Sequence, residues 1–319
     1  MKFFYSSLAI VTAAFNVVSA ENVTFSLQYV TGFFKQGEPS VEIPKPYPAR
    51  MGLLENKTWA NVDEYIQKKK QAGGKAKVVV YLRHGEGTHN VAIDQLTFPT
   101  YLKVAAGWAN LTDAELTEKG RAQAKNASIM LDDQIFSGGL DIQEVFVSVL
   151  DRTLDTFSIA FGDVKNIPHL ASEFAREVIT NETCNHRVTK HEKQAKYPDV
   201  NFDEIVEDED PWWSPTHSET LVEMDNRARN FLNHLFYEHD SDRIGVVAHS
   251  QFALAIERVI GHRVYNVANA EWVPFLLEDT VPATKPTTDK PSTDKPSTGK
   301  PSTDKPSTGK PATGKPAHC

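Results

Sequence analysis

The chain has 319 residues, of which 40% are hydrophobic and 24% charged, so it has the composition of a soluble globular protein with ample length for a core. A C-terminal repeat contributes seven Lys and three Asp, and Lys2 adds one positive charge, so the net charge of −8 for the chain corresponds to −13 for residues 21–284. This acidic balance argues against a nucleic-acid or anionic-membrane surface, because both partners need a basic footprint. The two cysteines, Cys184 and Cys319, are too few for a disulfide-stapled scaffold.

The first twenty residues, MKFFYSSLAIVTAAFNVVSA, have the pattern of a secretory signal peptide. One lysine precedes an apolar run, and Val-Ser-Ala at positions 18–20 has the small residues that a signal peptidase accepts. The run is short for a bilayer span, so we expect residues 1–20 to be removed, no transmembrane segment, and a secreted chain. Five glycosylation sequons agree with export: Asn22, Asn56, Asn110, Asn126 and Asn181.

The body of the chain, residues 21–280, alternates predicted strands and helices. Buried strands are predicted at residues 77–82, 145–150, 169–174 and 244–248. Helices are predicted after Thr117 as N-cap, over residues 152–161 and 250–260, and after Pro215 with a capping box formed by Thr216 and Glu219. Strands alternating with helices predict an α/β fold, a three-layer sandwich with a mostly parallel central sheet flanked by helices.

The remaining residues, 281–319, form a predicted tail with a five-residue period of Lys-Pro followed by Ser/Thr and Asp/Gly. Such a segment cannot bury enough apolar surface to offset the entropy of ordering, so we expect it to be disordered. Its composition suits an O-glycosylated stalk that contacts a cell wall or matrix and holds the chain at the cell surface, or a solvated tail without function. The sequence does not favour either.

Cationic or cationisable residues follow three of the predicted strands. Arg83 and His84 end the first strand, Arg152 follows the second, and His249 ends the last. Ligands of open α/β sheets bind outside the carboxyl ends of the strands, so we expect these four residues to meet. One such residue alone is usually structural, but four in an acidic body predict a pocket for a compact anion such as phosphate, which guanidinium groups bind bidentately.

The chemistry available to this pocket points to His84. The chain lacks a P-loop, a Gly-x-Ser-x-Gly elbow and a His-Glu-x-x-His motif, which removes the support for those hydrolase classes. A neutral imidazole can attack phosphorus if its other nitrogen's proton is held by an acceptor, and His84 is placed to do so. His186, His191, His217, His234 and His239 show no ligand spacing, so neither a metal nor another cofactor is expected.

The segment LRHGEGTHN at residues 82–90 resembles the signature of the histidine phosphatase superfamily, in the branch that includes phosphoglycerate mutases. Further similarity lies in WANLTDAELTEKG at 108–120, SVLDRT at 148–153, Arg176-Glu177, and VVAHS at 246–250. The resemblance implies that His84 becomes phosphohistidine and that Glu177 is the acid that protonates the leaving group. It implies that Arg83, Asn90, Arg152 and His249 bind the phosphoryl group.

Parts of this assignment are open in the sequence. Glu173 competes with Glu177 for the role of acid, and Arg187 is expected at the substrate rim. Gly85 and Gly87 are expected to allow close approach of backbone and ligand, and His89 is expected to be a pocket-wall or packing residue. The acidic run at 204–210 is expected to be a solvated loop.

These observations predict a secreted phosphomonoesterase that acts on a small-molecule phosphomonoester through phosphohistidine at His84. One alternative is a phosphotransferase of the phosphoglycerate mutase type, which would return the phosphoryl group to its substrate. Another is a catalytically idle interaction or adhesion module displayed by the repeat tail. A competent residue at every expected catalytic position speaks against the idle module.

Overall fold

The computed structural model describes residues 25–39, 47–96, 100–101, 105 and 111–280. The predicted signal peptide, the repeat tail and Cys319 therefore lie outside the described residues. Within the described ranges, no helix is both long enough and apolar enough to cross a membrane.

A six-stranded sheet organises the described chain. Its strands are β1 (Leu27–Tyr29), β2 (Ala76–Arg83), β3 (Glu144–Ser148), β4 (His169–Ser172), β5 (Arg243–Ala248) and β6 (Trp272–Asp279), in the spatial order β1-β6-β2-β5-β3-β4. The pairs β2-β5, β5-β3 and β3-β4 are parallel, whereas β6 is antiparallel to both β1 and β2. The predicted mostly parallel sheet is confirmed.

Helices cover both faces of this sheet. They are α1 (Trp59–Gln71), α2 (Thr88–Leu96), α3 (Glu118–Phe136), α4 (Asp151–Ala160), α5 (Lys190–Lys196), α6 (Leu221–Tyr237) and α7 (Ser250–Ile260). Alternate residues of β2 point to opposite faces, as in any strand. Val78, Val80 and Leu82 pack in one core with α1, α3 and α4, while Val79 and Tyr81 pack in another with α6 and α7. This arrangement is the three-layer sandwich that the sequence predicts.

Two of the strands, β1 and β6, were not among the four predicted. The sequence WVPFLLED of β6 holds a proline, which a strand with partners on both sides rarely tolerates. The register explains why it is tolerated here: β1 pairs only with residues from Leu277 onward, so Pro274 pairs only with Val80 of β2. The Val30 N–H donates to the Leu276 carbonyl, so even-numbered residues of β6 direct their main-chain groups towards the β1 side. The missing N–H of Pro274 therefore lies beyond the end of β1 and removes no hydrogen bond to β2.

Of the two predicted N-caps, one is confirmed and the other is wrong. Thr117 caps α3 as predicted, because its hydroxyl accepts from the N–H of Gly120. The helix expected directly after Pro215 instead begins at Leu221, with Thr220 and Glu223 as the capping box. Glu219, the predicted partner of Thr216, pairs with Arg227 at 2.6 Å. Two Thr-x-x-Glu sequences thus follow one another, at 216–219 and 220–223, and the second forms the cap while the glutamate of the first pairs with Arg227.

Candidate active site

Three neighbouring strands deliver the predicted cationic residues to one edge of the sheet. His84 follows β2, His249 follows β5, and Arg152 lies in the first turn of α4 after β3. The ring centroids of His84 and His249 are 5.0 Å apart, and the His84 N–H donates to the carbonyl of Ala248. The structure therefore brings together the residues that the strand ends predict to converge.

The main chain fixes the tautomer of His84. Its Nδ1 lies 2.6 Å from the carbonyl oxygen of Gly85, which can only accept, so Nδ1 carries the proton and Nε2 carries the lone pair. The side chain is only 1% exposed. Burial, with further contributions from the charges of Arg152 and Arg83, holds the pKa of His84 well below its usual range. The imidazole is therefore neutral at neutral pH, with Nε2 available as a nucleophile.

Buried nitrogen atoms without a partner among the described residues surround this ring. They are Nε of Arg83, Nε of Arg152, Nδ1 of His89 and Nδ1 of His249. Buried polar atoms without hydrogen bonds are costly and mark places where a ligand or solvent completes the set. Two of these atoms belong to guanidinium groups, which favours an anion as the missing partner.

Each guanidinium is held by its other nitrogen atoms. Arg83 donates from Nη1 to the carbonyl of Val267 at 2.9 Å. Arg152 donates from Nη1 to the carbonyl of Cys184 at 2.7 Å and from Nη2 to Oδ1 of Asn185 at 3.0 Å. These contacts fix the two side chains before any ligand binds, and they leave the Nε edge of each group for an anion.

His249 is fixed in the same manner. Its Nε2 lies 2.8 Å from the Ser148 hydroxyl, and its N–H and carbonyl both contact the Tyr81 hydroxyl. Burial, followed by the charge of Arg152, holds the pKa of His249 well below its usual range. The ring is thus a neutral, immobilised group whose Nδ1 has no partner among the described residues.

A cavity of 780 Å³ opens next to these residues, and Arg83, His89, Asn90 and Glu177 are among those that line it. Oδ1 of Asn90 accepts from the N–H of Gly87 at 2.9 Å, which leaves its amide NH₂ for a ligand. His89 lies in the wall as predicted, with its ring 5.6 Å from that of His84. Arg83, Asn90 and Glu177 of the predicted site therefore line one cavity, whereas His84, Arg152 and His249 are buried and do not line it.

The two candidate acids occupy different environments. Glu177 lines the cavity at the start of α7, where its carboxylate accepts from the N–H of Gln251 at 3.1 Å and lies 3.4 Å from the Ser250 hydroxyl. Glu173 is buried, and its two oxygens accept from Arg176 at 3.0 Å and from Arg187 at 2.7 Å. Only Glu177 is placed to exchange a proton with a ligand in the cavity.

The expectation that Arg187 lies at the substrate rim is wrong. The side chain is 2% exposed, and its guanidinium donates to Glu173 and to main-chain carbonyls of residues 188 and 207–209. Every nitrogen of the group is used within the protein, so none is left for a substrate. Arg187 instead holds the acidic loop against the rest of the chain.

The acidic loop is solvated along most of its length, as expected, but its last residue is an anchor. The Asp210 carboxylate is fully buried and makes a bidentate pair with Arg176, at 2.7 and 2.8 Å. Burial alone would raise the pKa of Asp210, but the hydrogen bonds and charge of Arg176 outweigh it and lower the pKa to about 2. The residue after Arg176 is Glu177, so this pair fixes the backbone that carries the candidate acid.

We expect Asp210→Asn to lower the free energy of unfolding by about 2 kcal/mol at pH 7, the value that corresponds to the depressed pKa. Because the pKa of the folded state is lowered, this stabilisation is present above the ordinary pKa of 3.8 and disappears as the pH falls towards 2. Urea unfolding of both proteins between pH 7 and pH 3 measures the difference. Glu209→Gln, on the exposed part of the same loop, is the control. A difference that did not narrow below pH 4 would contradict the assignment.

Several positioning residues were not found from the sequence. Ser148 orients His249, Asn185 orients Arg152, and the Thr156 hydroxyl accepts from the N–H of Gly85 at 3.0 Å. Asn185 lies 33 positions from Arg152 along the chain, and no spacing rule connects them. Gly85 does permit a close approach, but the backbone it approaches is that of the α3 N-terminus: a Cβ on Gly85 would lie 2.3 Å from the Gly120 carbonyl oxygen.

Cys184, which also lines the cavity, forms no disulfide with any of the described residues. Burial raises its pKa to about 11, so the group is protonated at neutral pH. Its Sγ lies 3.2 Å from the Tyr101 hydroxyl. A buried, protonated thiol is a poor nucleophile, so Cys184 does not compete with His84.

The chain is similar in sequence to curated fungal proteins and to solved phosphatase structures. The chain is 27% identical over 252 residues to "Phosphomutase-like protein 3" of Candida albicans, covering 77% of this chain and 78% of that protein. It is 27% identical over 283 residues to "Probable phosphoglycerate mutase" of Arthroderma benhamiae, covering 79% and 84%. Among solved structures, a putative alpha-ribazole-5'-P phosphatase from Escherichia coli is 21% identical and covers 63% of this chain and 91% of its own, with a TM-score of 0.43.

The family model described as "Histidine phosphatase superfamily (branch 1)" matches residues 79–264, from the middle of β2 to beyond the end of α7. This range includes all six residues assigned to the site, from Arg83 to His249. The match spans more than half of the chain, and we conclude that the chain belongs to the histidine phosphatase superfamily, branch 1, and has phosphoglycerate mutase-like relatives.

Proposed function

We propose that the chain is a phosphomonoesterase that transfers the phosphoryl group of a small-molecule substrate to Nε2 of His84 and then to water. The observation that carries this proposal is a neutral imidazole whose tautomer is fixed by the Gly85 carbonyl, beside buried guanidinium nitrogens that lack a partner among the described residues. Such a site attracts a phosphoryl group and offers it a nucleophile at once. Family membership supports the same chemistry.

In the first step the lone pair of Nε2 attacks phosphorus, and the bond between phosphorus and the ester oxygen breaks. Glu177 delivers a proton to the departing oxygen, so the product leaves as an alcohol and Glu177 becomes a carboxylate. Arg83, Arg152 and His249 donate to the non-bridging oxygens, where negative charge is concentrated in the transition state. The Asn90 amide supplies a further donor.

In the second step the Glu177 carboxylate accepts a proton from a water molecule that enters the vacated position. The water oxygen bonds to phosphorus, and the bond to Nε2 breaks. Inorganic phosphate forms, His84 regains its neutral tautomer and Glu177 regains its proton. The Gly85 carbonyl holds the Nδ1 proton throughout, so the imidazole never needs to change its orientation.

We expect Glu177→Gln to lower kcat by roughly 10²- to 10⁴-fold with an alkyl phosphate, because an alkoxide leaves slowly without a proton donor. With p-nitrophenyl phosphate, whose leaving group needs no proton, the loss in the rate of phosphoenzyme formation should be much smaller. Rapid-quench kinetics on both substrates measure this contrast. Glu173→Gln is the matched control: it should lower the thermal unfolding midpoint, since it weakens two buried ion pairs, without producing the leaving-group contrast. An equal loss with both substrates for Glu177→Gln would argue against its role as acid.

A mutase is the second candidate, favoured by the names of the fungal relatives, which refer to a phosphomutase and a phosphoglycerate mutase. A mutase returns the phosphoryl group to a second position of the same substrate, whereas a phosphatase releases inorganic phosphate. Incubation with isotopically labelled 3-phosphoglycerate, sugar phosphates, nucleotides and inositol phosphates distinguishes the two, because label appears either in inorganic phosphate or in the isomer. Predominant transfer to the isomer would overturn the proposed hydrolase.

We also propose that the chain is exported, on the basis of its first twenty residues. Expression in a secreting eukaryotic host should place the protein in the medium or at the cell surface with Glu21 as its first residue, which N-terminal sequencing determines. Deletion of residues 285–319 should shift protein from the surface to the medium if the tail tethers it. An intact Met1 in the intracellular fraction would contradict export, and an unchanged distribution would contradict tethering.

A further inference from the structure

Two imidazoles face each other at the opposite edge of the sheet from His84. His234 lies in the last turn of α6, and His239 lies in the connection from α6 to β5. Their Nε2 atoms are 3.2 Å apart, and the Glu204 carboxylate lies 3.5 Å from Nε2 of His234. Strand β5 separates this cluster from the active site, a distance of roughly 20 Å for six extended residues. The proposed phosphoryl transfer uses none of these groups.

Both rings are held by carboxylates on their other nitrogen. Nδ1 of His239 lies 2.9 Å from Glu144, the first residue of β3, and Nδ1 of His234 lies 3.0 Å from Glu238. The Phe146 ring packs edge-on against both imidazoles, at centroid distances of 4.8 and 5.9 Å. Glu144 and Phe146 belong to the rigid sheet, so the position of His239 in particular is well fixed.

The carboxylates determine which ring nitrogens of this cluster carry protons. A carboxylate accepts a hydrogen bond, so each Nδ1 carries a proton and each neutral ring directs an Nε2 lone pair at the other ring. Two lone pairs at 3.2 Å repel unless a cation lies between them, either one additional proton or a metal ion. Three carboxylates contact the two rings, and this excess of negative charge favours a dication over a proton.

The geometry matches that of a tetrahedral metal centre. Zinc binds imidazole nitrogen at 2.0–2.1 Å, which places two nitrogens on a tetrahedral ion roughly 3.3 Å apart. The corresponding distances here are 3.2 Å between the nitrogens and 3.5 Å from nitrogen to the Glu204 oxygen. Carboxylates bound to the outer nitrogens of metal-binding histidines are the usual means of fixing their tautomer.

We propose that His234, His239 and Glu204 bind a divalent transition-metal ion, Zn²⁺ by its preference for this ligand set, with water as the fourth ligand. The ion would tie α6 and the loop before β5 to the acidic loop that carries Glu204. Since the site lies at the edge of the sheet away from His84, its role is to stabilise the fold, and catalysis does not pass through it. The sequence does not reveal this site, because four residues separate the two histidines and the third ligand, Glu204, lies 30 positions before His234, so no short motif holds all three.

The test uses the full chain, freed of metal with a chelator and titrated with zinc by calorimetry. To remove the terminal His318 and Cys319 as competing ligands, the titration is repeated in a background carrying His318→Ala and Cys319→Ser. We expect one zinc ion per chain and a rise of roughly 5 °C in the thermal unfolding midpoint at about 100 times Kd. Phosphatase activity should be the same with and without zinc, which separates this result from the success or failure of the proposed catalysis.

Variants at the cluster give the decisive comparison. The double variant His234→Ala, His239→Ala should abolish the tight binding event, and Glu144→Gln, which acts only through His239, should weaken zinc affinity by about 10- to 100-fold. His191→Ala, at an exposed histidine on α5, should leave affinity unchanged. Since the double variant removes buried contacts, Glu204→Gln, at a 41% exposed side chain, provides a second test that does not threaten folding, and it should also weaken binding.

Two outcomes would overturn the proposal. One is the absence of saturable zinc binding by the wild-type chain, which would mean that a proton alone bridges the imidazoles. The other is binding that the double variant and Glu204→Gln leave unchanged, which would place the ion elsewhere. Replacement of zinc by Co²⁺ provides a spectroscopic check, since a tetrahedral site with nitrogen ligands gives intense visible bands that the double variant should lack.

Discussion

Replacement of His84 by alanine is expected to lower phosphate release by roughly 10⁴- to 10⁶-fold, the largest effect that we predict for any single substitution. The variant lacks the imidazole whose Nε2 lone pair is left available for attack by the contact between Nδ1 and the Gly85 carbonyl. It should also form no acid-labile phosphoenzyme when mixed with labelled substrate and quenched in base. Phosphate release and trapped label are measured on the same preparations.

The matched control is His191→Ala, which removes an exposed imidazole outside the site. It should retain wild-type activity, and circular dichroism should show that both variants are folded. Retention of substantial activity and of the phosphoenzyme in His84→Ala would contradict the proposed nucleophile. If the wild type itself turned over no phosphomonoester across the substrate panel, the idle interaction module would become the better interpretation.

Replacement of Arg152 by lysine should lower kcat/KM by about 10²- to 10³-fold even though the charge is retained. The guanidinium uses two nitrogens to bind the Cys184 carbonyl and the Asn185 side chain, and a third faces the proposed phosphoryl site. A single ammonium group cannot satisfy all three directions. The loss of activity should therefore result from missing hydrogen bonds and not from a change in charge.

Two further variants test this explanation. Asn185→Ala keeps the Arg152 charge but frees one of its nitrogens, and we expect an intermediate loss of about tenfold. Arg121→Lys changes a partly exposed arginine that pairs with Asp155, and it should remain close to wild type. If Arg152→Lys were as active as the wild type, the proposed need for three hydrogen-bond directions at this side chain would be wrong.

The sequence predicts which edge of the sheet carries the site, because the ends of buried strands are easily recognised in it. Each of Arg83, Arg152 and His249 lies at a sharp change from apolar to charged sequence, and parallel strands place such changes at one edge. The order of the strands was not predictable from these patterns. Pairing of β2 with β5, which lies about 160 residues later, depends on contacts that no local pattern encodes.

The errors share a physical cause. Arg187 and Thr216 were assigned from short motifs, but their outcomes depend on partners far away in the chain. Arg187 donates its hydrogen bonds to Glu173 and to carbonyls of the acidic loop. Glu219 forms an ion pair with Arg227 and is therefore not the capping partner of Thr216. The contact between His234 and His239 is not predictable from the sequence for the same reason, because Glu144, which orients the His239 ring, belongs to the distant strand β3.

The contact between His84 and the Gly85 carbonyl makes the tautomer of the proposed nucleophile robust. Many catalytic histidines depend on an acidic side chain to select their tautomer, and a point mutation or a fall in pH can remove that acid. A peptide carbonyl is present whatever residue occupies the position, and it does not titrate. Because an added side chain at Gly85 would collide with the Gly120 carbonyl, drift at this position is constrained by backbone packing. The nucleophile's tautomer is thus buffered against both mutation and acidity.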